Sequence, residues 1–288
     1  MELIPGLPND VAIECLIRVP FSQISKAASV SKNWKAEIQL PEFRQRRKAA
    51  GFTQPLIAMT RADSNLNEHI RDDDDGGARR LHHYLLKICD PERRFSYEVP
   101  SIPGLSKGVP MFCQVAGVGT NLVVIGGYDP VSWKTLNSVF IYDFLTATWR
   151  DGAAMPGGQR SFFGSASDGD HRILVAGGHD GNKNALASAL MYDVAKNEWV
   201  VLRDMARERD ECKCIFHRGR FHVVGGYCTD RQGDFESSAE ALELDDVDGW
   251  KWDELENIHE MDLALTKIEV PGGHSDTVHV QSCCYLEV

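Results

Sequence analysis

Apolar residues near the start of the chain recur at steps of three and four positions, the spacing of an amphipathic helix. We expect a first helix capped by Asn9 or Asp10, whose short side chains accept hydrogen bonds from free backbone N–H groups. Pro20 should end it, because proline lacks an N–H and its ring clashes with the preceding turn. Its apolar face is formed by Val11, Ala12, Cys15, Leu16 and Val19.

Three further helices are expected before residue 52. Ser22 is placed to cap the second, the third passes through Trp34 to a stop at Pro41, and the fourth covers residues 42–50. Gly51 follows the fourth helix, where glycine commonly ends a helix in the left-handed conformation. These patterns predict a small helical module over residues 1–51.

Beyond this module the pattern changes to short apolar runs, three of which end in a pair of glycines. The pairs are Gly126-Gly127, Gly177-Gly178 and Gly225-Gly226, so the period is close to fifty residues. The other residues that keep this period are Tyr142-Asp143 with Tyr192-Asp193, and Trp149 with Trp199 and then Trp250 or Trp252. A period of this size is typical of solenoids, arrays or propellers.

The middle repeat divides into four short strands separated by turn residues. The expected strands are residues 162–166, 172–176, 189–194 and 198–202, which form an antiparallel meander. The glycine pair allows a positive φ and a close backbone approach. The tryptophan of each repeat should supply buried area between neighbouring sheets.

Composition narrows the class of protein. The chain has 288 residues and a net charge of −11, which argues against sequence-independent nucleic-acid binding. No apolar run approaches the ~20 residues of a membrane span, and the acidic, proline-broken start is not expected to be a signal peptide. Eight cysteines without dense spacing fit reduced thiols, so we expect a cytoplasmic or nuclear protein. Residues 1–51 are slightly basic, with eight basic and five acidic side chains.

The helical module resembles an F-box. The matching segments are Leu7-Pro8-Asn9-Asp10-Val11, Leu16-Ile17-Arg18-Val19-Pro20, Val30-Ser31-Lys32-Asn33-Trp34 and Pro41-Glu42-Phe43. The resemblance implies binding to a Skp-type adaptor and, through it, to the cullin scaffold of an SCF ubiquitin ligase. The residues that it implies for the adaptor interface or its support are Leu7, Pro8, Leu16, Val19, Pro20, Val30 and Trp34.

The fifty-residue repeat is similar to the kelch repeat, whose copies form the blades of a β-propeller. The resemblance implies a mainly β chain, with an F-box of three to four helices over residues 1–51. Residues 52–108 are expected to be a linker and a partial first blade, residues 109–256 three kelch repeats, and residues 257–288 a degenerate C-terminal segment. Propellers close with about four to eight blades. An incomplete ring is therefore one expectation.

The order of the two modules resembles the plant F-box/kelch-repeat proteins, and Ile4-Pro5-Gly6-Leu7-Pro8 resembles their Kiss Me Deadly subgroup. The resemblance implies a non-catalytic substrate receptor that recruits a target for ubiquitination and degradation. The targets implied are phenylalanine ammonia-lyase or type-B cytokinin-response regulators. The alternatives are a kelch scaffold outside any ligase and a copper enzyme of the galactose-oxidase kind.

Loops after the second and fourth strands of each meander should emerge on one face. Because aromatic and arginine side chains dominate binding hot spots, we expect target contacts from this face. The residues are Tyr128, Trp133, Arg160, His179, Arg207, Arg209 and Tyr227.

We do not expect the other motifs of the sequence to form a cofactor-binding or metal-binding site. Gly117-Val118-Gly119 lacks the third glycine of a dinucleotide loop. Cys212 and Cys214, with His217 and His222 nearby, lack the two-residue gap of paired zinc cysteines. The roles of Cys212, Cys214, Cys283 and Cys284 stay open. We therefore expect no metal, no cofactor, no nucleic acid and no membrane partner.

Overall fold

A computed structural model describes residues 2–71, 78–105, 108–243, 250–255 and 280–287. The helical module contains α1 (Asn9–Leu16), α2 (Phe21–Val30), α3 (Lys32–Ile38) and α4 (Pro41–Ala49). Among the described residues, no helix is both long and apolar enough to cross a membrane.

The starts of α1 and α2 differ from expectation. Pro8 and Pro20, with ψ near 144° and 143°, are the N-cap residues, and neither helix has a side-chain cap. The Asn9 carboxamide oxygen instead accepts a hydrogen bond from the N–H of Leu3, at 3.0 Å. Pro20 therefore begins α2 rather than ending α1, because proline's fixed φ suits the start of a helix and its missing N–H has no partner to lose there.

The remaining helix ends are set by local chemistry. The Ser31 hydroxyl caps α3 by accepting from the N–H of Trp34, at 3.1 Å. Gly51 has a φ of 71° after α4, as its position predicted. Buried Leu16, Ile24 and Phe43 hold the helices together.

The rest of the described chain forms sixteen strands. These are β1 (Pro55–Arg71), β2 (Ala78–Asp90) and β3 (Phe95–Glu98), then β4 (Gln114–Val118), β5 (Asn121–Ile125), β6 (Val139–Asp143) and β7 (Thr148–Gly152). They continue with β8 (Gly164–Ser167), β9 (Arg172–Ala176), β10 (Ala189–Asp193) and β11 (Glu198–Val201), and end with β12 (Lys213–His217), β13 (Arg220–Val224), β14 (Ala239–Glu243), β15 (Lys251–Leu255) and β16 (Val280–Glu287).

These strands form four antiparallel sheets of four, the blades of a propeller. Blade 2 is β4–β7, blade 3 is β8–β11 and blade 4 is β12–β15. Blade 1 has the order β16-β1-β2-β3, so its first strand comes from the far end of the chain. Residues 257–288 were expected to depart from the repeat, yet Leu286 lies opposite Leu56 and is buried. A strand can pair through its backbone and place apolar side chains at every second position without carrying any kelch motif.

The expected strands of the middle repeat are close to those observed. The range Arg172–Ala176 is the same, whereas the first strand begins at Gly164 rather than Phe162. Phe162 has a φ of 54°, which is left-handed and therefore outside the strand.

The glycine pairs of blades 2, 3 and 4 bring two parts of the blade together. Gly178 has a φ of 83°, and a Cβ there would clash with the carbonyl oxygen of Ser161 and lie 2.8 Å from the nitrogen of Phe163. Only glycine fits this approach. The residue after the pair, His179, consequently pairs with Ser161. Ser161 lies just before β8, the first strand of its blade, and we call these first strands, which line the central cavity, the inner strands.

Each tryptophan in register links its blade to the one before it. The indole N–H groups of Trp149, Trp199 and Trp252 donate to the carbonyl oxygens of Pro100, Ala153 and Arg203, at 2.7–2.8 Å. The third position is therefore Trp252 rather than Trp250.

The helical module packs on the face of the propeller that carries the turns after the first and third strands, which we call the turn face. Phe21 contacts Phe144 edge-on at 5.7 Å, and Leu145 joins the helical core. Arg44 of α4 forms an ion pair with Asp170 in a turn of blade 3. The module and the propeller thus share apolar and ionic contacts.

Candidate functional site

A cavity of about 400 Å³ opens on the other face of the propeller, which carries the connections after the second and fourth strands and which we call the loop face. In an antiparallel meander these connections emerge opposite the turn face. The lining residues are Phe112, Tyr128, Trp133, Phe162, His179, Lys183, Asp210, Glu211, Tyr227 and Gln232.

Two sets of equivalent residues build this cavity. The first set follows the glycine pairs and consists of Tyr128, His179 and Tyr227. The second set lies two positions before the start of each inner strand and consists of Phe112, Phe162 and Glu211, each with a φ of 54°. Left-handed backbone at residues other than glycine costs free energy and clusters at functional sites. Its repetition in three blades at one cavity makes this the candidate site.

The aromatic side of the cavity is a contiguous cluster of rings. Phe112 lies 5.2 Å from Phe162 and 6.3 Å from Tyr128, measured between ring centroids. Phe162 is also stacked on the His179 imidazole at 5.4 Å. Phe112 and Trp133 are exposed, so the cavity offers apolar ring surface to solvent.

His179 is fixed by hydrogen bonds at both ring nitrogens. Nδ1 lies 2.8 Å from a carboxylate oxygen of Asp210, and Nε2 lies 2.8 Å from the Ser161 hydroxyl. With neutral imidazole, Nδ1–H donates to the carboxylate, so Nε2 accepts from the hydroxyl. This is the partner order of a serine hydrolase, but Ser161 is buried and is not among the cavity-lining residues. The arrangement orients the ring and does not present a nucleophile.

The acidic side of the cavity is linked to His179 through the Asp210 carboxylate. The Tyr227 hydroxyl donates to Glu211 at 3.1 Å, and the backbone N–H of Glu211 donates to Asp210 at 2.9 Å. Burial raises the pKa of Tyr227 well above its usual value, and the negative charge of the nearby Asp210 carboxylate raises it further. The Tyr227 phenol therefore stays protonated and donates a hydrogen bond, and the carboxylates of Glu211 and Asp210 both act as acceptors.

The structure brings four of the predicted target-contacting residues to this cavity: Tyr128, Trp133, His179 and Tyr227. Arg207 lies outside its lining, with a half-exposed side chain that pairs with Glu236 at 3.1 Å.

Arg160 and Arg209 require a correction, because both are buried inside the blades rather than exposed on the loop face. The Arg160 guanidinium donates to the carbonyl oxygens of Gly177 and Ser188, and burial lowers the pKa of Arg160 to about 10. Arg209 makes equivalent bonds in blade 4 and pairs with buried Glu240 at 3.1 Å. Both brace the connections that carry the cavity.

Sequence reasoning missed Phe112, Phe162 and Glu211. They recur 50 and 49 residues apart, in register with the glycine pairs. That register was the available signal, although the third position has a different type of side chain.

The residues implied for adaptor binding lie at the other end of the molecule, on the helical module. Pro8, Pro20 and Val30 are exposed, whereas Leu7, Val19 and Trp34 are partly buried. Leu16 is buried in the helical core, so it can support an interface but not contact a partner. The exposed apolar side of α1 continues from Pro8 through Val11 to Cys15.

No cluster of three or more His, Cys, Asp or Glu side chains is arranged to hold a metal ion among the described residues. The copper alternative required histidines and tyrosines on the propeller axis. The central cavity, about 570 Å³ and lined by all four inner strands, includes Tyr285 but no histidine among its described lining residues.

Comparison with known proteins gives consistent matches. The family model for the F-box domain matches residues 4–46, and the model for the kelch motif matches residues 111–156 and 159–206. The chain is 47% identical to the F-box/kelch-repeat protein At1g80440 of Arabidopsis thaliana, over 88% of this chain and 70% of that protein. It is also 47% identical to the F-box/kelch-repeat protein At1g15670 of the same plant, over 88% and 69%. Among solved structures, YjhT matches with a TM-score of 0.48 and 14% identity, over 59% of this chain and 52% of that chain.

Proposed function

The chain belongs to the F-box/kelch-repeat protein family, and we propose that it is the substrate-recognition subunit of an SCF-type ubiquitin ligase. In this role the helical module binds a Skp-type adaptor, and the loop face recruits a target protein. The observation that carries the proposal is the placement of an exposed apolar surface and an aromatic cavity at opposite ends of one molecule.

The proposed adaptor interface is the exposed apolar side of the helical module. It includes Leu7, Pro8, Val19, Pro20, Val30 and Trp34, together with Val11, which is 42% exposed. Leu16 supports it from the core. Each leucine or valine covered by a partner contributes about 1.5–3 kcal/mol when it is fully buried. Exposed apolar residues concentrated on a module this small are typical of a protein–protein interaction site.

The proposed target interface is the cavity on the loop face, with Tyr128, Trp133, His179 and Tyr227 as contact residues and Arg207 beside it. Such a receptor needs no catalytic group. It raises the effective concentration of the target near the ubiquitin-charged enzyme. Phenylalanine ammonia-lyase and type-B cytokinin-response regulators are the proposed targets, and the proposed location is the cytoplasm, the nucleus or both.

Contacts between the two modules support this geometry. Phe21, Leu145 and the Arg44–Asp170 ion pair join the helices to the turn face. A target on the loop face is then held at a fixed distance from the adaptor, as positioning for ubiquitin transfer requires.

The test is affinity purification of the full chain from plant cells, with captured proteins identified by mass spectrometry. Wild type should capture a Skp-type adaptor, a cullin and one or more targets. Val11→Asp, which places a charge on the exposed side of α1, should lose the adaptor and cullin but keep the targets. Phe162→Ala should do the reverse. A chain that captures targets but no adaptor or cullin would instead be a kelch scaffold outside any ligase.

A further inference from the structure

We infer that the cavity on the loop face binds an arginine side chain of the target. The inference rests on the proposed function, because it names the chemistry that the receptor recognises. Three observations carry it: the ring cluster, the carboxylates that form no ion pair with a described lysine or arginine, and the size of the cavity.

The ring cluster offers flat surfaces to a planar cation. Phe112, Tyr128 and Phe162 lie within 5.2–6.3 Å of one another, and Trp133 is 53% exposed at the cavity. A guanidinium stacks on such rings through both cation–π attraction and planar contact. An ammonium group gains the first of these but not the second.

The carboxylates supply the charge that an arginine requires. Asp210 is buried, Glu211 is exposed, and both line the cavity. Among the residues that the structure describes, no lysine or arginine forms an ion pair with either one. Their partners are instead His179, Tyr227 and a backbone N–H. A guanidinium carries several N–H donors in a fixed plane and can reach two adjacent carboxylates.

Lys183 is the one lysine or arginine among the described residues that line the cavity, and its side chain is exposed at the cavity edge. Its ammonium group opposes a cationic ligand and would favour an acidic one. Substitution of Lys183 therefore distinguishes the two ligand classes.

The cavity also has a suitable size. A volume of about 400 Å³ lies within the range of about 300–1,000 Å³ seen for small-ligand pockets. It therefore accommodates one long side chain rather than a folded element.

The experiment uses the purified full chain and four capped peptides, Ac-Gly-Arg-Gly-NH2 and its citrulline, lysine and glutamate counterparts, in saturation-transfer NMR titrations. Citrulline keeps the shape of arginine and removes its charge. We expect arginine to bind about tenfold more tightly than citrulline, and more tightly than lysine. Equal affinity for arginine and citrulline would overturn the inference, as would tighter binding of Ac-Gly-Glu-Gly-NH2.

Variants locate the site. Glu211→Gln should weaken arginine binding about fivefold, whereas Lys183→Met should strengthen it. The matched control is Glu198→Gln on the exposed edge strand β11, which removes the same charge away from the cavity and should change nothing. If Lys183→Met weakens binding, or if both glutamate variants behave alike, the inference is wrong.

A parallel pull-down with a Skp-type adaptor separates this inference from the proposed function. An intact adaptor complex with no preference for arginine contradicts only the ligand chemistry. Loss of adaptor binding by the wild-type chain contradicts the receptor role itself.

Discussion

Replacement of Arg209 by alanine should destabilise the propeller rather than remove a contact with the target. The Arg209 side chain is 1% exposed and Glu240 is fully buried, with 3.1 Å between Arg209 Nε and a Glu240 carboxylate oxygen. The guanidinium also donates to the carbonyl oxygens of Gly225 and Ser238, at 2.7 and 3.2 Å. Arg209→Ala leaves the Glu240 carboxylate buried without its cation, which costs about 3–5 kcal/mol.

The measurement is urea unfolding and thermal unfolding of the full chain. At about 2–4 °C per kcal/mol for a domain of this size, the melting temperature should fall by about 6–20 °C. Arg207→Ala is the matched control from the same connection. Its side chain is 49% exposed and pairs with Glu236 and Glu254, so its loss should cost less than about 1 kcal/mol.

A double variant tests the reason for this cost. In blade 3 the position equivalent to Glu240 is Leu190, and the arginine equivalent to Arg209 is Arg160, which donates to the carbonyl oxygens of Gly177 and Ser188. Arg209→Met with Glu240→Leu removes both charges, so it should recover most of the stability lost by Arg209→Ala. If Arg209→Ala and Arg207→Ala have equal melting temperatures, or if the double variant is no more stable than Arg209→Ala, the reasoning is refuted.

Two further predictions concern stability. Trp199→Ala removes an indole that stacks on Tyr192 at 4.7 Å and donates to the carbonyl oxygen of Ala153. It should lower the free energy of unfolding by about 3 kcal/mol, whereas Trp199→Phe should lower it by about 1 kcal/mol. Equal urea unfolding midpoints for the two variants would contradict this. Burial lowers the pKa of His222 below its ordinary 6.5, so the unfolded chain binds a proton more readily and stability should decrease as the pH falls below about 6.5. His222→Gln should flatten that part of the curve of unfolding free energy against pH, and an unchanged curve would exclude His222 as its source.

The architecture of blades 2, 3 and 4 was predictable because the sequence of each blade contains its own copy of the repeat motif. The glycine pairs, the Tyr-Asp dipeptides and the tryptophans keep one period, and a meander needs only neighbouring strands. Blade 1 was harder, because β16 pairs with β1 from more than 200 positions away. A strand without a motif gives no local signal of its partner.

The candidate site was predictable in part, for a related reason. Residues after the glycine pairs are placed by backbone geometry, so Tyr128, His179 and Tyr227 could be assigned to one face. Arg160 and Arg209 occupy loops in the sequence, yet their long side chains turn inward to loop carbonyls. Loop membership gives the face on which a backbone emerges, not the direction of its side chains.

The most direct test of the receptor role is stoichiometric binding of a Skp-type adaptor to the purified full chain. Size-exclusion chromatography with light scattering should give a one-to-one complex, and Leu7→Ala with Pro8→Ala should weaken it at least about tenfold while the melting temperature of the chain stays unchanged. No complex with the wild-type chain, or equal affinity in the double variant, would contradict the account.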